Sequence, residues 1–218
     1  MTAHSHSSKQ EVNQSNHTRG TSSRPDEQEA EQAIRTLLQW IGEDPDREEL
    51  RKTPARVLKA YKEHFAGYHT NPETVFGQDL EDAGEYKDFV ALTNITLNSH
   101  CEHHMHPIIG KAHIAYWPGE KLAGLSKLAR TAEILSKRLV FKDTATTEIR
   151  ECIDQALSTK GCAVVITARH LCMSTRGISD PDVMTTTSSF SGVFEKANQI
   201  RERFLALTRQ HPPEPETE

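Results

Sequence analysis

Two alternating segments, separated by a stretch crowded with metal-binding side chains, constrain this chain more than any other feature. From Asp88 to Leu97, the residues Phe89, Ala91, Thr93, Ile95 and Leu97 take every second position. From Lys111 to Trp117, His113, Ala115 and Trp117 alternate with Ala112, Ile114 and Tyr116. A period of two predicts two strands, each with one side toward a core. Between them runs Ser99-His100-Cys101-Glu102-His103-His104-Met105-His106-Pro107, one thiol and four imidazoles in a single connection. Two strands joined there gather those groups at one end of a sheet.

Helical spacing surrounds this pair. Ala30, Ala33, Ile34, Leu37, Leu38 and Ile41 predict a helix from Asp26 to about Ile41, stopped by Gly42. A second starts at Thr53 as N-cap with Pro54 in its first turn, and Val57, Leu58, Tyr61 and Phe65 form its buried side. The stretch from Asn71 to Glu85 reads as a long loop. After the strands, Leu125, Leu128, Ala132 and Leu135 predict one helix, and Ile149, Ile153, Ala156 and Leu157 another. Cys162 to Ala168 is a buried strand, and a closing helix lies near Val193 to Thr208. Two helices, two strands, two helices, one or two strands and a last helix make an α+β pattern with a largely antiparallel sheet.

The termini differ in composition. Residues 1–25 are rich in Ser, His, Asn, Gln and Thr and nearly free of apolar side chains, so they cannot offset the entropy of ordering. His4, His6 and His17 belong to that solvated tail, and 211–218, with three prolines and three glutamates, is expected to be disordered too. The expected organisation is a disordered polar tail over 1–25, a helical region over 26–70, the main α+β domain over 71–210 and a disordered tail over 211–218.

Bulk charge narrows the function. A formal net charge of −5 and a pI near 6.2 argue against a general nucleic-acid or membrane-surface binder, which a basic excess would favour. No apolar run is long enough to span a bilayer, and the N-terminus has no secretory apolar stretch, so a cytoplasmic protein is expected. Cys101, Cys152, Cys162 and Cys172 sit in a chain of 218 residues with ample core, which favours free thiols or metal ligands over disulfides.

Cys101 with His103 or His104 can reach one tetrahedral ion from a tight turn, and thiolate plus imidazole is a donor set that suits zinc. Spacing alone leaves the choice of histidine open. His170-Leu171-Cys172 ends the buried strand, and Cys172 is the natural third ligand. Three protein ligands leave a fourth position for water, the arrangement of a catalytic zinc. Any one of these histidines alone would read as an ordinary core or surface group; the cluster does not. Cys152 beside Ile149 and Ile153, and Cys162 opening an apolar strand, read as core thiols.

Anion-binding groups form a second set. Gly124-Leu125-Ser126-Lys127-Leu128-Ala129-Arg130 starts a helix, placing Lys127 and Arg130 on one side near free N–H groups and the positive end of the dipole. Arg176 stays near Cys172 if the chain turns at Gly177, and Arg56 could join from another part of an assembly.

The run Cys101-Glu102-His103-His104, then Gly110-Lys111, Ala115-Tyr116-Trp117-Pro118, the Gly124 to Arg130 run, His170-Leu171-Cys172, Arg176-Gly177 and Thr185-Thr186-Thr187-Ser188-Ser189 resembles GTP cyclohydrolase I over roughly Gln32 to Gln210. The resemblance implies a T-fold subunit in a toroidal homodecamer, with sites between subunits and GTP as substrate. It implies zinc ligands at Cys101, His104 and Cys172, a proton donor and acceptor at the purine N7 in His170, and assistance from His103 in the later ring-opening and rearrangement steps. It also implies a triphosphate site containing Arg56, Ser126, Lys127, Arg130 and Arg176. The reaction implied opens the guanine ring, releases formate and forms dihydroneopterin triphosphate, the first step toward pterins. One departure stands out: where the family reads guanine with a Gln-Glu pair, this chain has Lys142-Asp143. Aspartate keeps a carboxylate for the guanine edge but is one methylene shorter, and Lys replaces a neutral amide. Asp143 is therefore the expected purine anchor. The alternatives are a same-fold enzyme acting on a different purine or pterin triphosphate, and a zinc-bound assembly module without catalysis.

Overall fold

The computed structural model describes residues 24–77, 80–140, 144–177 and 179–209. Most of the two tails, and Lys142 and Asp143, lie outside them. By its contacts the chain divides into two compact units, Met1–Ala55 and Arg56–Glu218.

In the first unit, helix α1 spans Glu27–Trp40. Asp26 and Glu29 close a reciprocal capping box: the Glu29 N–H donates to Asp26 Oδ1 (2.8 Å) and the Asp26 N–H to Glu29 Oε2 (3.0 Å). No residue of α1 is buried, and Leu37, Trp40 and Ile41 stay exposed, Trp40 at 80%. Arg35 pairs with Asp46 beyond the helix.

Helix α2 (Thr53–His64) buries only Pro54. The expected apolar side is weaker than its spacing suggests: Val57, Leu58 and Phe65 are half-buried and Tyr61 is exposed. Packing is concentrated at the C-terminal end, where Tyr61 and Phe65 meet edge to face at 5.2 Å and Phe65 rests against His100 at 5.1 Å. The expected loop from Asn71 to Glu85 contains a short 3-10 turn, Pro72–Val75, and strand β1 (Glu81–Asp82), following another turn at Ala66–His69.

The long strands are β2 (Val90–Cys101) and β3 (Pro107–Trp117). After them come β4 (Lys121–Leu122), α3 (Leu125–Ser136), β5 (Leu139–Val140), α4 (Thr144–Leu157) and β6 (Gly161–His170). The chain then forms α5 (Leu171–Ser174), β7 (Thr185–Phe190), α6 (Gly192–Lys196) and α7 (Asn198–Thr208). β1 pairs with β4, and the main sheet has the order β5-β2-β3-β6-β7, antiparallel except for the β2–β5 pair. This is the expected α+β T-fold arrangement, an antiparallel sheet with α3 and α4 packed on it.

Two cores lie on the two sides of the sheet. Leu97, Ala112, Ile114, Tyr116, Val164 and Ile166 face Leu128, Leu135, Ile149 and Ile153 of α3 and α4. Ala115, Ala163 and Val165 face Phe194 and Phe204 of α6 and α7. β6 is thus buried on both sides, which is why its sequence is a continuous apolar run rather than an alternating one. Each fully buried Phe here contributes roughly 1.5–3 kcal/mol over an exposed one.

Two sequence expectations change. The alternation in β2 does not keep one side throughout: Phe89 and Ala91 join the α6/α7 core, whereas Ile95 and Leu97 join the α3/α4 core. The cause is a bulge between Leu92 and Ile95, with Asn94 in the left-handed region at φ 60°. The closing helix is two helices, because Ala197 between them is extended (φ −111°, ψ 101°).

Candidate functional site

The site grows from the ends of three neighbouring strands. β2 ends at Cys101 and β3 starts at Pro107, so residues 102–106 form the hairpin connection. The Met105 N–H donates to the Cys101 carbonyl (2.8 Å) and the Cys101 N–H to the His106 carbonyl (2.9 Å), closing a tight turn with Met105 at φ 54°. That turn folds His104 back over Cys101. On the other side of β3, His170 lies opposite Ile108, and the chain enters α5 at once. Cys172 thereby arrives at the same end of the sheet.

Cys101, His104 and Cys172 each bring one donor atom to a common point, all within 4.8 Å of one another. Cys101 Sγ lies 4.0 Å from His104 Nδ1. Around a tetrahedral zinc ion, sulfur and nitrogen ligands stand about 3.5–3.8 Å apart, so a small contraction would enclose one. Cys101 is buried, Cys172 half-buried and His104 exposed, a graded set with an open side. Burial, and then the neighbouring Cys101 sulfur, push the Cys172 thiol upward, while Arg176 opposes the shift. Two thiols this close cannot both ionise cheaply without a cation, and a bound cation reverses the balance. Burial, followed by the charges of Arg176, His103 and His106, lowers His104, which favours the neutral imidazole that coordinates metal. The donor set therefore fits a divalent metal.

His103 is exposed in the hairpin, its ring 6.0 Å from that of His104. His170 is half-buried and lines a small cavity with Leu97, Ser99, Ile108 and Thr187. Burial lowers its pKa, so near neutral pH it is an uncharged imidazole able to accept a proton. Gly177 adopts φ +66°, so the chain turns there as the placement of Arg176 requires, and Arg176 is exposed.

Ser126, Lys127 and Arg130 do not share this end of the sheet. Just before α3, the Ala123 N–H donates to Tyr116 Oη (2.9 Å), and Tyr116 lies nine positions along β3 from Pro107. At about 3.4 Å per residue, the start of α3 stands roughly 30 Å from the hairpin turn. Ser126, Lys127 and Arg130 are therefore remote from Cys101 within one chain. Lys127 Nζ donates to the Phe76 carbonyl (2.7 Å), and Ser126 and Arg130 are exposed. Gly124 caps α3 without a side-chain hydrogen bond. Arg56 is exposed on α2. Asp143 lies outside the described residues.

Residue pattern alone missed the supports. His100 is buried with its Nδ1 unpartnered, and its ring packs against His64 at 4.7 Å. Its place directly before Cys101 was the available signal. Cys152 and Cys162 take no part: all four cysteines are free, and complete burial drives the Cys162 thiol well above its ordinary range.

Comparison with known proteins agrees with this geometry. The family model described as GTP cyclohydrolase I matches residues 30–209. GTP cyclohydrolase 1 of Maricaulis maris is 46% identical over 184 residues, covering 84% of this chain and 90% of that protein. The Brucella anthropi protein of the same name is 48% identical, covering 86% and 88%. That of Hyphomonas neptunium is 49% identical, covering 86% and 91%. By both the extent of the match and the level of identity, the chain belongs to the GTP cyclohydrolase I family.

Proposed function

We propose that this chain hydrolyses GTP to 7,8-dihydroneopterin triphosphate and formate, with zinc held by Cys101, His104 and Cys172. The observation that carries the reading is the convergence of two thiols and one imidazole, with His170 two residues from one of the thiols. When bound, zinc supplies Lewis-acid activation of water for attack on the purine ring. His170, neutral and half-buried, exchanges a proton with the ring nitrogen that changes charge as the ring opens. His103 assists the later rearrangement from the exposed hairpin. Overall, one water is consumed, one carbon leaves as formate, and the ribose carbons close the new ring.

Arg56, Ser126, Lys127, Arg130 and Arg176 hold the triphosphate by charge and hydrogen bonding. Because Ser126, Lys127 and Arg130 start at the far end of their own sheet, they reach the metal of another copy, which supports a homo-oligomer with shared sites. The resemblance makes that a toroidal decamer. Exposed Leu37 and Trp40 on α1, with Ile41 just after it, are apolar surface consistent with assembly. No described helix is long and apolar enough to cross a membrane, and the net charge is −5; both suit a cytoplasmic enzyme without nucleic-acid partners.

Lys142-Asp143 favours a second reading, a different purine triphosphate. One experiment separates the two. Zinc-replete protein is incubated with GTP and with ITP, which lacks the exocyclic amine that Asp143 would accept from, and formate and pterin fluorescence are followed. Preference for GTP supports Asp143 as anchor; preference for ITP favours the second reading. Absence of formate from both substrates defeats the assignment.

A further inference from the structure

We propose that the turn after α2, centred on Gly67 and Tyr68, is a positioning clasp that holds the metal-bearing end of β2 in place through β5. The inference rests on Cys101, His104 and Cys172 being metal ligands.

Three hydrogen bonds come from two adjacent residues of the turn. The Gly67 N–H donates to the Lys137 carbonyl (3.1 Å), Arg138 Nε donates to the Gly67 carbonyl (3.0 Å), and the Leu139 N–H donates to Tyr68 Oη (3.1 Å). The approach is so close that only glycine fits: a Cβ at position 67 would lie 2.0 Å from the Ile134 carbonyl oxygen and 2.8 Å from that of Lys137. The end of α3 is thus locked to the turn.

Directly after this locked stretch the chain enters β5, the strand beside the ligand. Leu139 and Val140 pair with His100 and Cys101, the Val140 carbonyl accepts from the Glu102 N–H (3.2 Å), and Ser99 Oγ donates to the Arg138 carbonyl (3.3 Å). A two-residue edge strand has too short a ladder to fix its own register, so its place depends on what grips the residues before it. The same region also touches β2 directly, through the packing of His64 and Phe65 against His100. Ligand distances in metal sites tolerate only about 0.2 Å, so a loosened β5 loosens Cys101. Tyr68 touches no donor atom; it acts through Leu139.

Tyr86 provides a matched control. Its Oη donates to the Phe89 carbonyl (3.2 Å) near the start of β2, away from the metal donors, and it is 47% exposed against 43% for Tyr68. The full chain is loaded with zinc as wild type, Tyr68→Phe and Tyr86→Phe, and zinc transfer to a chromophoric chelator is timed alongside the thermal midpoint. Tyr68→Phe is expected to release zinc about tenfold faster, the low end of what a ligand's supporting contact contributes. Tyr86→Phe is expected to match wild type, with similar midpoints for both variants. Wild-type release from Tyr68→Phe, or equal acceleration in both, overturns the clasp. If Tyr68→Phe is too unstable to load, Ser99→Ala removes the bond from the β2 side, and the same outcomes decide. A wild-type protein that takes up no zinc refutes the ligand assignment and the clasp's role with it.

Discussion

Strand β6 connects two polar clusters of opposite character. Near its start, Asp154 accepts from Ser191 Oγ (2.6 Å), Arg150 Nη1 (3.0 Å) and the Thr159 hydroxyl. Ser191 Oγ in turn accepts from the Cys162 N–H (2.8 Å), and Arg150 Nε donates to Ser189 Oγ (2.8 Å). Each member finds its partner inside the cluster, and the result ties α4 to β6 and β7. Near the other end of β6, the donors of Cys101, His104 and Cys172 face one another within 4.8 Å, with Cys101 Sγ 4.0 Å from His104 Nδ1. A polar cluster that satisfies itself is a structural device; one whose lone pairs converge on a shared point requires something from outside.

That contrast can be broken by exchange of effects. Cys172→Ala should lower GTP turnover by about a thousandfold or more while leaving the thermal midpoint of the metal-free protein within a few degrees. Metal analysis and a melting curve read both, and retained zinc with retained activity would erase the distinction. His170→Asn should lower kcat by about a hundredfold or more at unchanged zinc content, since it removes proton transfer and no ligand. Loss of zinc in that variant would make His170 part of the metal shell instead.

Asp154→Asn should do the reverse. It removes the Asp154 carboxylate from the Arg150 guanidinium, 16% exposed, which keeps only Glu151 as an acidic partner, and should cost about 2 kcal/mol in denaturant unfolding with zinc content unchanged. The exposed Asp88–Arg203 pair, at 2.7 Å with both side chains more than two-fifths exposed, sharpens the comparison from below. Solvent screening leaves it worth little even at neutral pH. The bond from Arg203 holds the Asp88 carboxyl below its usual range, so its contribution is present above the unfolded carboxyl pKa near 3.9. It is lost as pH falls through the lower folded value. Asp88→Asn should accordingly show its small destabilisation at pH 7 and none in strong acid; a larger effect at low pH would contradict the sign.

The parts of the molecule legible in the residues were those where one physical signal dominates. β3 alternates because its two sides meet two cores, and His113, Ala115 and Trp117 separate from Ala112, Ile114 and Tyr116 as their spacing predicts. The metal donors were legible because few other needs place thiols and imidazoles together. β7 was harder: Thr185-Thr186-Thr187-Ser188-Ser189 has no apolar rhythm, since this edge strand is held partly by hydroxyls, Thr187 to Thr146 at 2.6 Å and Thr186 to Thr167 at 3.1 Å. β5 is two residues and carries no pattern. The remoteness of Lys127 and Arg130 from Cys101 could not be read from a local helix start, because it depends on the direction in which α3 runs along the sheet.

The irregularity at Asn94 decides which set of side chains in β2 looks inward. Before it, odd-numbered residues look toward α6 and α7; after it, odd-numbered residues look toward α3 and α4. Cys101 is odd-numbered and comes after it. Removing a single residue there would preserve every ligand in the chain yet turn the Cys101 thiol to the opposite surface of the sheet, away from the core against which Cys172 packs. The chemistry of this protein thus depends on a count, one extra residue seven positions upstream of a cysteine, as much as on the cysteine itself.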